Sequence, residues 1–340
     1  MPDPCVSVLL PVYNAAATLG DALDSLQRQT LSDFEIVAVD DGSTDGSLEI
    51  LRLRALNEPR LRVLARPHQG IVISPNAGLA ACRAVYVARM DSDDIAHPER
   101  LSRQAAYLDA HPDVSVVCSR VAGFPAASLR EGFRIYIDWL NGLLTDDDIR
   151  REMFVESPVP NPSAMFRRAA VLGLGGYHDY GWPEDYDLWL RIYSAGMRFA
   201  KLPEVLLEWR DSPGRLTRTD SRYSVENFLR AKAHYLAQGP LAGRETLIIW
   251  GAGMIGRRLS KHLLREGAPL TAFIDIDPRK IGSTRRGRPI LPPEALPDLW
   301  RRSSKPALLA AVGARGARAL IRQQLETFGL REGVDWWGAA

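Results

Sequence analysis

The stretch that decides the fold joins an apolar strand to a set of carboxylates, Val85-Tyr86-Val87-Ala88-Arg89-Met90-Asp91-Ser92-Asp93-Asp94. Side chains alternate along a strand, so the pattern predicts that Asp91 and Asp93 leave the backbone on the same side. Two like charges this close repel each other unless a positive group lies between them. A divalent cation such as Mg²⁺ or Mn²⁺ meets that need, since it takes protein carboxylates together with phosphate oxygens. The stretch therefore indicates a metal and phosphate site at the end of a strand.

A second pair of carboxylates, Asp40-Asp41, follows another apolar run, Glu35-Ile36-Val37-Ala38-Val39. Strands and helices alternate over the N-terminal third of the chain, which predicts a parallel α/β sheet. One of the predicted helices lies near Asn76-Ala77-Gly78-Leu79-Ala80-Ala81 and leads to the strand that ends at Asp91. Ligands bind such sheets beyond the carboxyl ends of the strands, so separate strand ends are expected to share one rim. The stretch Pro11-Val12-Tyr13-Asn14 lies at a third strand end. One alternative stays open, in which the carboxylates only cap the helices that follow them.

The composition limits the class of protein. With 340 residues, 46% of them hydrophobic, the chain is long enough for two domains with separate cores. We predict domains at residues 1–240 and 244–340, joined by the stretch 238–243, which contains Gly and Pro. The 43 basic and 41 acidic side chains nearly cancel. This argues against a nucleic-acid partner, because such a partner needs a concentrated basic face.

Cysteines and apolar runs indicate the compartment. Cys5, Cys82 and Cys118 are scattered without metal-ligand spacing, and we expect them to remain reduced thiols in a cytoplasmic protein. No apolar run reaches the roughly 18 residues that a membrane-spanning helix needs. Peripheral contact with a membrane and formation of a homodimer both stay open.

A glycine motif marks the second predicted domain. The strand-like run Thr246-Leu247-Ile248-Ile249-Trp250 leads into Gly251-x-Gly253-x-x-Gly256. A second predicted strand, Leu270-Thr271-Ala272-Phe273-Ile274, ends at Asp275. A strand, such a loop and a helix, with an acidic residue at the second strand end, form the fingerprint of a dinucleotide-binding Rossmann unit. The motif predicts a small Rossmann-like domain with a second ligand site at Gly251, Gly253, Gly256 and Asp275. In the alternative, the domain serves docking or dimerisation and keeps only the tight turn.

The same domain resembles a more specific unit. The residues that carry the resemblance are Phe273-Ile274-Asp275-Ile276-Asp277-Pro278-Arg279-Lys280-Ile281-Gly282 and Ala311-Val312-Gly313. They resemble the small Rossmann-like domain that precedes the left-handed β-helix of bacterial sugar acyltransferases. That resemblance implies a ligand related to nucleotide sugars. NAD(P) is the other ligand that the glycine motif allows, although no catalytic acid or base stands beside the motif.

Five motifs of the N-terminal part occur in a fixed order: Val8-Leu9-Leu10-Pro11-Val12-Tyr13-Asn14, Asp40-Asp41-Gly42-Ser43-Thr44-Asp45, Asn76-Ala77-Gly78-Leu79, Asp91-Ser92-Asp93-Asp94 with Pro98-Glu99-Arg100-Leu101, and Glu184-Asp185. Together they resemble the inverting glycosyltransferase family 2. The resemblance covers about residues 5–215. It implies the GT-A fold and a nucleotide-diphosphate sugar as donor, with UDP the commonest nucleotide among relatives.

The resemblance also implies roles for single residues. Asp41 is expected to accept a hydrogen bond from the nucleobase, and Tyr13 to lie against its ring. Asp93, with Asp91 beside it, is expected to hold the divalent metal that bridges the two phosphates. Asp185, with Glu184, is expected to remove the proton of the acceptor hydroxyl. The remaining residues expected to bind the nucleotide sugar are Pro11, Asn14, Ser43, Asn76, Ser92, Arg210 and Arg218.

Several of these residues have a second interpretation. Glu184-Asp185 stands at the start of a predicted helix and can act as its N-terminal cap. The basic segment from Arg210 to Arg222 either folds over the diphosphate or is a solvated surface loop. Trp182 is a candidate for stacking on an acceptor sugar.

Taken together, the sequence predicts a metal-dependent inverting glycosyltransferase that adds one sugar to the hydroxyl of a glycan, a lipid-linked acceptor or a small molecule. The Gln-x-x-Arg-Trp element and the membrane helices of processive polysaccharide synthases are missing, which favours single addition. Two alternatives remain. One is a sugar oxidoreductase that uses NAD(P) in the C-terminal domain, and the other is a scaffold that binds nucleotide sugars without turnover.

Overall fold

A computed structural model describes residues 3–340. The chain divides into two compact units. The first takes the chain up to Ile149, then Pro158–Tyr180 and Glu184–Thr219, and the second takes Arg150–Ser157, Gly181–Pro183 and Asp220–Ala340. The domain boundaries at 240 and 244 stay predictions. Within residues 3–340, no helix is both long and apolar enough to cross a bilayer.

The first unit is built on a mixed sheet. Its strand order, over the described residues, is β3-β2-β1-β4-β7-β6-β8-β5. The strands are β1 Val6–Val12, β2 Phe34–Asp41, β3 Leu61–Arg66, β4 Tyr86–Arg89, β5 Ile95–Ala96, β6 Val114–Phe124, β7 Met165–Arg167 and β8 Arg198–Arg210. The helices are α1 Leu19–Gln27, α2 Ser47–Ala55, α3 Gly70–Ala81, α4 Arg100–Ala110, α5 Glu131–Asn141, α6 Asp146–Glu152, α7 Arg168–Gly173, α8 Glu184–Ser194 and α9 Leu216–Thr219.

Four neighbouring strands of this sheet, β3, β2, β1 and β4, run parallel. Strand β2 is buried along its whole length and β1 along all but Pro11, as expected for strands covered on both faces. Val6 pairs with Phe34 on one side and with Tyr86 on the other, so the three strands are in register. Their carboxyl ends therefore lie side by side.

Two local features differ from the sequence prediction. Helix α3 begins at Gly70, several residues before the predicted start near Asn76, and it contains Pro75. Strand β4 ends at Arg89. Asp91 and Asp93 therefore lie in a turn, and the prediction that strand alternation orients them was wrong. The strand ends at Arg89, and a hydrogen bond of 3.3 Å from the Asp94 N–H to the Asp91 carbonyl oxygen closes the turn that follows.

The second unit holds a smaller sheet. Over the described residues its order is β11-β12-β10-β9-β13-β14, parallel except for the β11–β12 pair. Its core includes Ile248, Ile274, Leu308 and Trp336. The elements are α10 Val225–Gln238, β9 Thr246–Trp250, α11 Met254–Arg265, β10 Leu270–Ile274, β11 Thr284–Arg285, β12 Arg288–Leu291, α12 Leu296–Arg302, β13 Pro306–Ala310, α13 Ala317–Thr327 and β14 Trp336–Gly338.

Candidate active site

The candidate site lies at the carboxyl ends of β2, β1 and β4. Asp41 is the last residue of β2, Tyr13 is the first residue after β1, and Asp91 is the second residue after β4. Since these strands are parallel neighbours, the three side chains start from the same edge of the sheet. The predicted convergence of separate motifs on one rim agrees with this arrangement.

Three carboxylates of the turn after β4 form a compact cluster. One oxygen of each of Asp91, Asp93 and Asp94 lies within 4.8 Å of the others. Asp94 is 1% exposed, and its Oδ1 accepts a hydrogen bond of 2.8 Å from the Arg210 backbone N–H. Its buried Oδ2 has no hydrogen-bond partner. A buried carboxylate oxygen without a partner destabilises the folded protein. A proton or a cation bound at Asp94 Oδ2 would therefore stabilise the cluster.

The raised pKa values of two of these carboxyl groups also show that their ionised forms are destabilised. Burial, and after it the neighbouring Asp91 carboxylate, raise the pKa of Asp93 to about 6. Burial also raises the pKa of Asp94 well above its ordinary value, and both Asp93 and Asp91 add to that shift. Asp91 itself has a counter-charge, since Arg89 Nη2 lies 2.7 Å from its Oδ1. The charges of Arg215 and Arg210 oppose the increase for Asp93, and its pKa stays raised despite them.

Asp185 stands in the first turn of α8. Its Oδ1 accepts a hydrogen bond of 2.7 Å from the backbone N–H of Tyr186. Burial raises the pKa of Asp185 to about 6 against the opposing effect of this hydrogen bond, and the Asp91 carboxylate adds to the increase. Asp185 thus accepts a hydrogen bond at the start of the helix, and it is also repelled by the carboxylate of Asp91. Glu184 beside it is buried.

Asp41 has a structural role that the sequence prediction did not contain. Its Oδ1 accepts a hydrogen bond of 3.0 Å from Gln69 N–H, and its Oδ2 accepts one of 2.8 Å from Gly70 N–H. The carboxylate therefore caps α3 from 28 residues away in sequence, which explains why that helix starts early. His68 Nδ1 lies 2.8 Å from the same Oδ2, and the His68 ring stacks on Tyr13.

The loop after β1 is held by side-chain bonds to the loop after β2. Asn14 adopts a left-handed backbone conformation, with φ of 49°. Its backbone N–H donates to Ser43 Oγ at 3.0 Å, and its Oδ1 accepts from Thr44 N–H at 2.8 Å. A non-glycine residue in this conformation stores strain, which these bonds offset. Asn14 and Ser43 are thereby fixed next to Tyr13.

The other predicted donor-binding residues are placed less directly. Pro11 lies within β1, paired with Val39. The Ser92 carbonyl oxygen accepts a hydrogen bond of 3.2 Å from Thr18 Oγ1. Both ends of the Asn76 amide bond the backbone of Tyr177, at 2.8 Å each. Asn76 therefore joins α3 to the segment after α7.

The start of the basic segment, at Arg210, is hydrogen-bonded to the acidic cluster. Arg210 donates from its backbone to Asp94 and from Nε to the Asp93 carbonyl oxygen at 2.6 Å. Arg215 lies over the rings of Phe133 and Trp209, 4.3 and 4.6 Å from their centroids. The positive charge of Arg215 offsets part of the increase in the pKa of Asp93.

Arg218, by contrast, is engaged elsewhere. Its Nη2 lies 2.5 Å from Asp211 Oδ1. Trp182, the predicted acceptor platform, is buried against His234 and Arg230, with ring centroids of Trp182 and His234 5.5 Å apart. A role in binding for Arg218 and Trp182 stays a prediction.

In the second unit, the glycine motif forms a tight loop. Gly251 has φ of 113°, and a Cβ on Gly256 would lie 1.8 Å from the Gly251 carbonyl oxygen. Asp275 Oδ2 accepts a hydrogen bond of 2.9 Å from Ala252 N–H, and Lys280 Nζ lies 3.2 Å from it. A Cβ on Gly253 would meet nothing within 4 Å. The four predicted residues are brought together, and a ligand there stays a prediction.

The sequence prediction missed two residues at the rim, His68 and Arg89. Arg89 interrupts an apolar strand and is 4% exposed, which is a signal for a buried counter-charge. His68 follows β3 at the same edge of the sheet as Asp41. Its position after a strand was the available signal, but the ring contact with Tyr13 spans 55 positions of sequence and leaves no local pattern.

Comparison with known proteins identifies the family of this chain. Residues 7–174 match the family described as Glycosyl transferase family 2. The amylovoran biosynthesis glycosyltransferase AmsE of Erwinia amylovora is 36% identical over 60% of this chain and 75% of its own length. The putative glycosyltransferase EpsE of Bacillus subtilis is 31% identical over 66% of this chain and 79% of its own. The chain belongs to glycosyltransferase family 2. The predicted family and enzyme class are confirmed.

Solved structures support the fold of this family 2 enzyme. TarS of S. aureus, residues 1–349, solved in complex with UDP-GlcNAc, aligns with a TM-score of 0.56 at 20% identity. The alignment covers 77% of this chain and 72% of that one. The predicted GT-A fold, followed by a second α/β sheet, is confirmed. The family 2 enzyme transfers a sugar from a nucleotide-sugar donor to an acceptor.

Proposed function

We propose that this family 2 enzyme is a metal-dependent inverting transferase that moves one sugar from a UDP-linked donor to an acceptor hydroxyl. The observation that carries the proposal is the cluster of Asp91, Asp93 and Asp94, whose oxygens converge within 4.8 Å around a buried Asp94 Oδ2 without a partner.

The residues of the cluster fit a divalent cation. Carboxylate oxygens are the ligands that Mg²⁺ and Mn²⁺ prefer, and these ions leave room for phosphate oxygens and water. Asp91, Asp93 and Asp94 would hold the ion, and Asp94 Oδ2 would gain the partner it lacks. When bound, the cation supplies positive charge that offsets the negative charge developing on the leaving diphosphate.

Arg89 and Arg210 prepare the cluster. The buried Arg89 guanidinium holds Asp91 at 2.7 Å, which fixes one carboxylate before any ligand arrives. Arg210 positions both neighbours, through the Asp93 carbonyl oxygen and the Asp94 carboxylate. Fixed ligands need less reorganisation when charge develops, and this is how a site stabilises a transition state.

We assign Asp185 as the general base. A base works best when its pKa lies near the working pH, since it is then both ionised and basic. Burial raises the pKa of Asp185 to about 6, so at neutral pH the carboxylate is free to take the proton of the acceptor hydroxyl. The hydroxyl oxygen then attacks the anomeric carbon in one displacement, which inverts the configuration, as in the family that the motifs resemble.

Donor and acceptor follow from the relatives. TarS was solved with UDP-GlcNAc and with UDP, and its fold is shared, which supports UDP as the nucleotide. AmsE is named for amylovoran biosynthesis, which supports a role in polysaccharide biosynthesis. Tyr13 and Asp41 would bind the nucleobase of the donor. The acceptor class, single addition and a ligand in the second unit rest on the sequence alone.

The proposal is tested by release of nucleotide from a panel of UDP-, GDP- and TDP-sugars by the full-length protein. We expect slow hydrolysis of at least one UDP-sugar in Mn²⁺ and none above background in EDTA. Asp298→Asn, which changes an exposed aspartate of the second unit, is the matched control and should behave as the wild type. Equal release in Mn²⁺ and EDTA, or no release from any donor, would contradict the proposal.

A further inference from the structure

Two rings of the rim are stacked on each other. The centroids of Tyr13 and His68 are 4.2 Å apart, with 24° between the ring planes. Both side chains are about half exposed, 49% for Tyr13 and 53% for His68. Offset stacking of this kind covers one face of the Tyr13 ring. It is the aromatic surface that the proposed function gives to a nucleobase.

His68 also uses the hydrogen-bonding capacity of Asp41. Nδ1 of His68 lies 2.8 Å from Asp41 Oδ2 and 3.1 Å from the Asp41 carbonyl oxygen. Both neighbours are acceptors, so Nδ1 carries the proton and donates. Asp41 has about four acceptor positions, and the backbone N–H groups of Gln69 and Gly70 take two of them. His68 takes one of the remaining positions.

The three donors to Asp41 differ in how easily they leave. Gln69 N–H and Gly70 N–H belong to the start of α3, so their removal would uncap the helix. The His68 backbone lies close to Gly42, since a Cβ on Gly42 would lie 2.7 Å from His68 N. The His68 imidazole is exposed and can rotate about its side-chain torsions. It is the donor that a ligand can replace.

We propose that His68 is a placeholder for the nucleobase in the free enzyme. Its imidazole occupies the ring face of Tyr13 and an acceptor position of Asp41, and it rotates away when a planar base with an N–H donor, such as uracil, enters. This inference rests on the proposed function, which places the base at Tyr13 and Asp41. It adds that donor binding competes with an internal ring contact.

The competition has a measurable cost. When only a fraction of molecules has the site open, the apparent affinity falls by that fraction. If the stacked form holds about 70–90% of the free enzyme, removal of the imidazole tightens nucleotide binding by roughly 3- to 10-fold. If His68 instead formed a wall of the nucleobase site, removal of its imidazole would weaken nucleotide binding, because a contact with the nucleobase would be lost.

The test is calorimetric titration of UDP into the full-length protein with Mn²⁺, comparing wild type with His68→Ala. We expect UDP to bind His68→Ala roughly 3- to 10-fold more tightly. His68→Phe, which keeps a ring on Tyr13 but cannot donate to Asp41, should fall between the two. His111→Ala is the matched control, since His111 is an exposed histidine stacked on Tyr107 with centroids 4.1 Å apart. Its UDP affinity should equal the wild type.

Unchanged or weaker binding of UDP to His68→Ala overturns the placeholder role. Tyr13→Ala separates this failure from that of the base site. If Tyr13→Ala weakens UDP binding while His68→Ala does not tighten it, only the role of His68 is wrong. If Tyr13→Ala/His68→Ala binds UDP as tightly as His68→Ala does, the nucleobase does not bind at Tyr13, and both the assigned base site and the inference fall. In Tyr13→Ala/His68→Ala the gain from removing His68 should shrink, because the stacked contact is already gone.

Discussion

The strand-end loops of the two sheets both carry carboxylates, but the carboxylates of the two loops differ in their hydrogen-bond and ion-pair partners. After β4, three carboxylates share a space of 4.8 Å, and one buried oxygen has no partner. After β9 and β10, the carboxylate of Asp275 accepts a backbone N–H and lies 3.2 Å from Lys280 Nζ. In the first loop the pKa values of Asp93 and Asp94 stay raised despite the arginines around them, whereas in the second loop the carboxylate is paired with a lysine.

The difference shows which loop is built for a charged ligand. Uncompensated buried charge costs stability and is retained where a ligand relieves it. Asp93 and Asp94 meet this condition, since burial and, after it, neighbouring carboxylates raise the pKa of both. The loop at Gly251 has a tight turn and an internal ion pair, so it is stable as it stands. The predictions below test this contrast.

The largest effect is expected at Asp185. Asp185→Asn keeps the shape of the side chain but removes the base, so kcat should fall by about 10²- to 10⁴-fold. The KM for the donor should stay within about twofold, because the base contacts the acceptor. Steady-state kinetics with a donor and acceptor pair measure both values. A variant that keeps a tenth of the wild-type kcat would show that Asp185 is only the helix cap.

The glycine loop of the second unit should respond in stability. Gly256→Ala places a methyl group 1.8 Å from the Gly251 carbonyl oxygen and should lower the free energy of unfolding by about 3 kcal/mol. Gly253→Ala, three residues away, meets nothing within 4 Å and should change it by less than about 0.5 kcal/mol. Urea denaturation of both variants measures the difference. Equal stability of the two would mean that the loop is not packed as described.

The smallest effect concerns the cost of the acidic cluster without metal. The pKa of Asp93 is raised from 3.8 to about 6, so ionisation of Asp93 destabilises the folded protein, fully above pH 6 and not at all below pH 3.8. In EDTA, Asp93→Asn should therefore be more stable than wild type by about 1–2 kcal/mol at pH 7.5, after allowance for partial exposure.

The gap in stability between Asp93→Asn and wild type should close as the pH falls from 6 towards 4, since the wild-type carboxyl then becomes neutral as well. Added Mn²⁺ should reverse the order, because only the wild type keeps the full set of ligands. Thermal denaturation at several pH values measures both trends. A wild type that is the more stable protein in EDTA at pH 7.5 would show that the cluster is not under strain.

Much of the fold followed from local patterns. Strands β9 and β10 have the predicted limits, because apolar runs bounded by Gly, Pro and charged residues define buried strands. The irregular part of the first unit was not predicted in detail. There β6 pairs in parallel with β8, although more than 70 residues separate them, and such pairings leave no local signal.

Sequence patterns pointed to the acidic residues of the candidate site, but they missed His68 and Arg89 and did not indicate the contacts of the site. The carboxylates at strand ends were visible because position and residue type together suggest chemistry. The capping of α3 by Asp41, the turn that holds Asp91 and Asp93, and the stacking of His68 on Tyr13 depend on tertiary contacts. Sequence patterns report the periods of helices and strands, and these contacts have no period.

The affinity for UDP with and without a divalent cation tests most directly whether the acidic cluster holds a metal that grips the donor diphosphate. Calorimetric titration of the full-length protein should show UDP binding in Mn²⁺ at least about tenfold tighter than in EDTA, a difference of about 1.4 kcal/mol. Asp93→Ala should bind UDP with the same weak affinity in both buffers. Wild-type affinity that is equal in Mn²⁺ and EDTA would contradict a metal-bridged donor at this cluster.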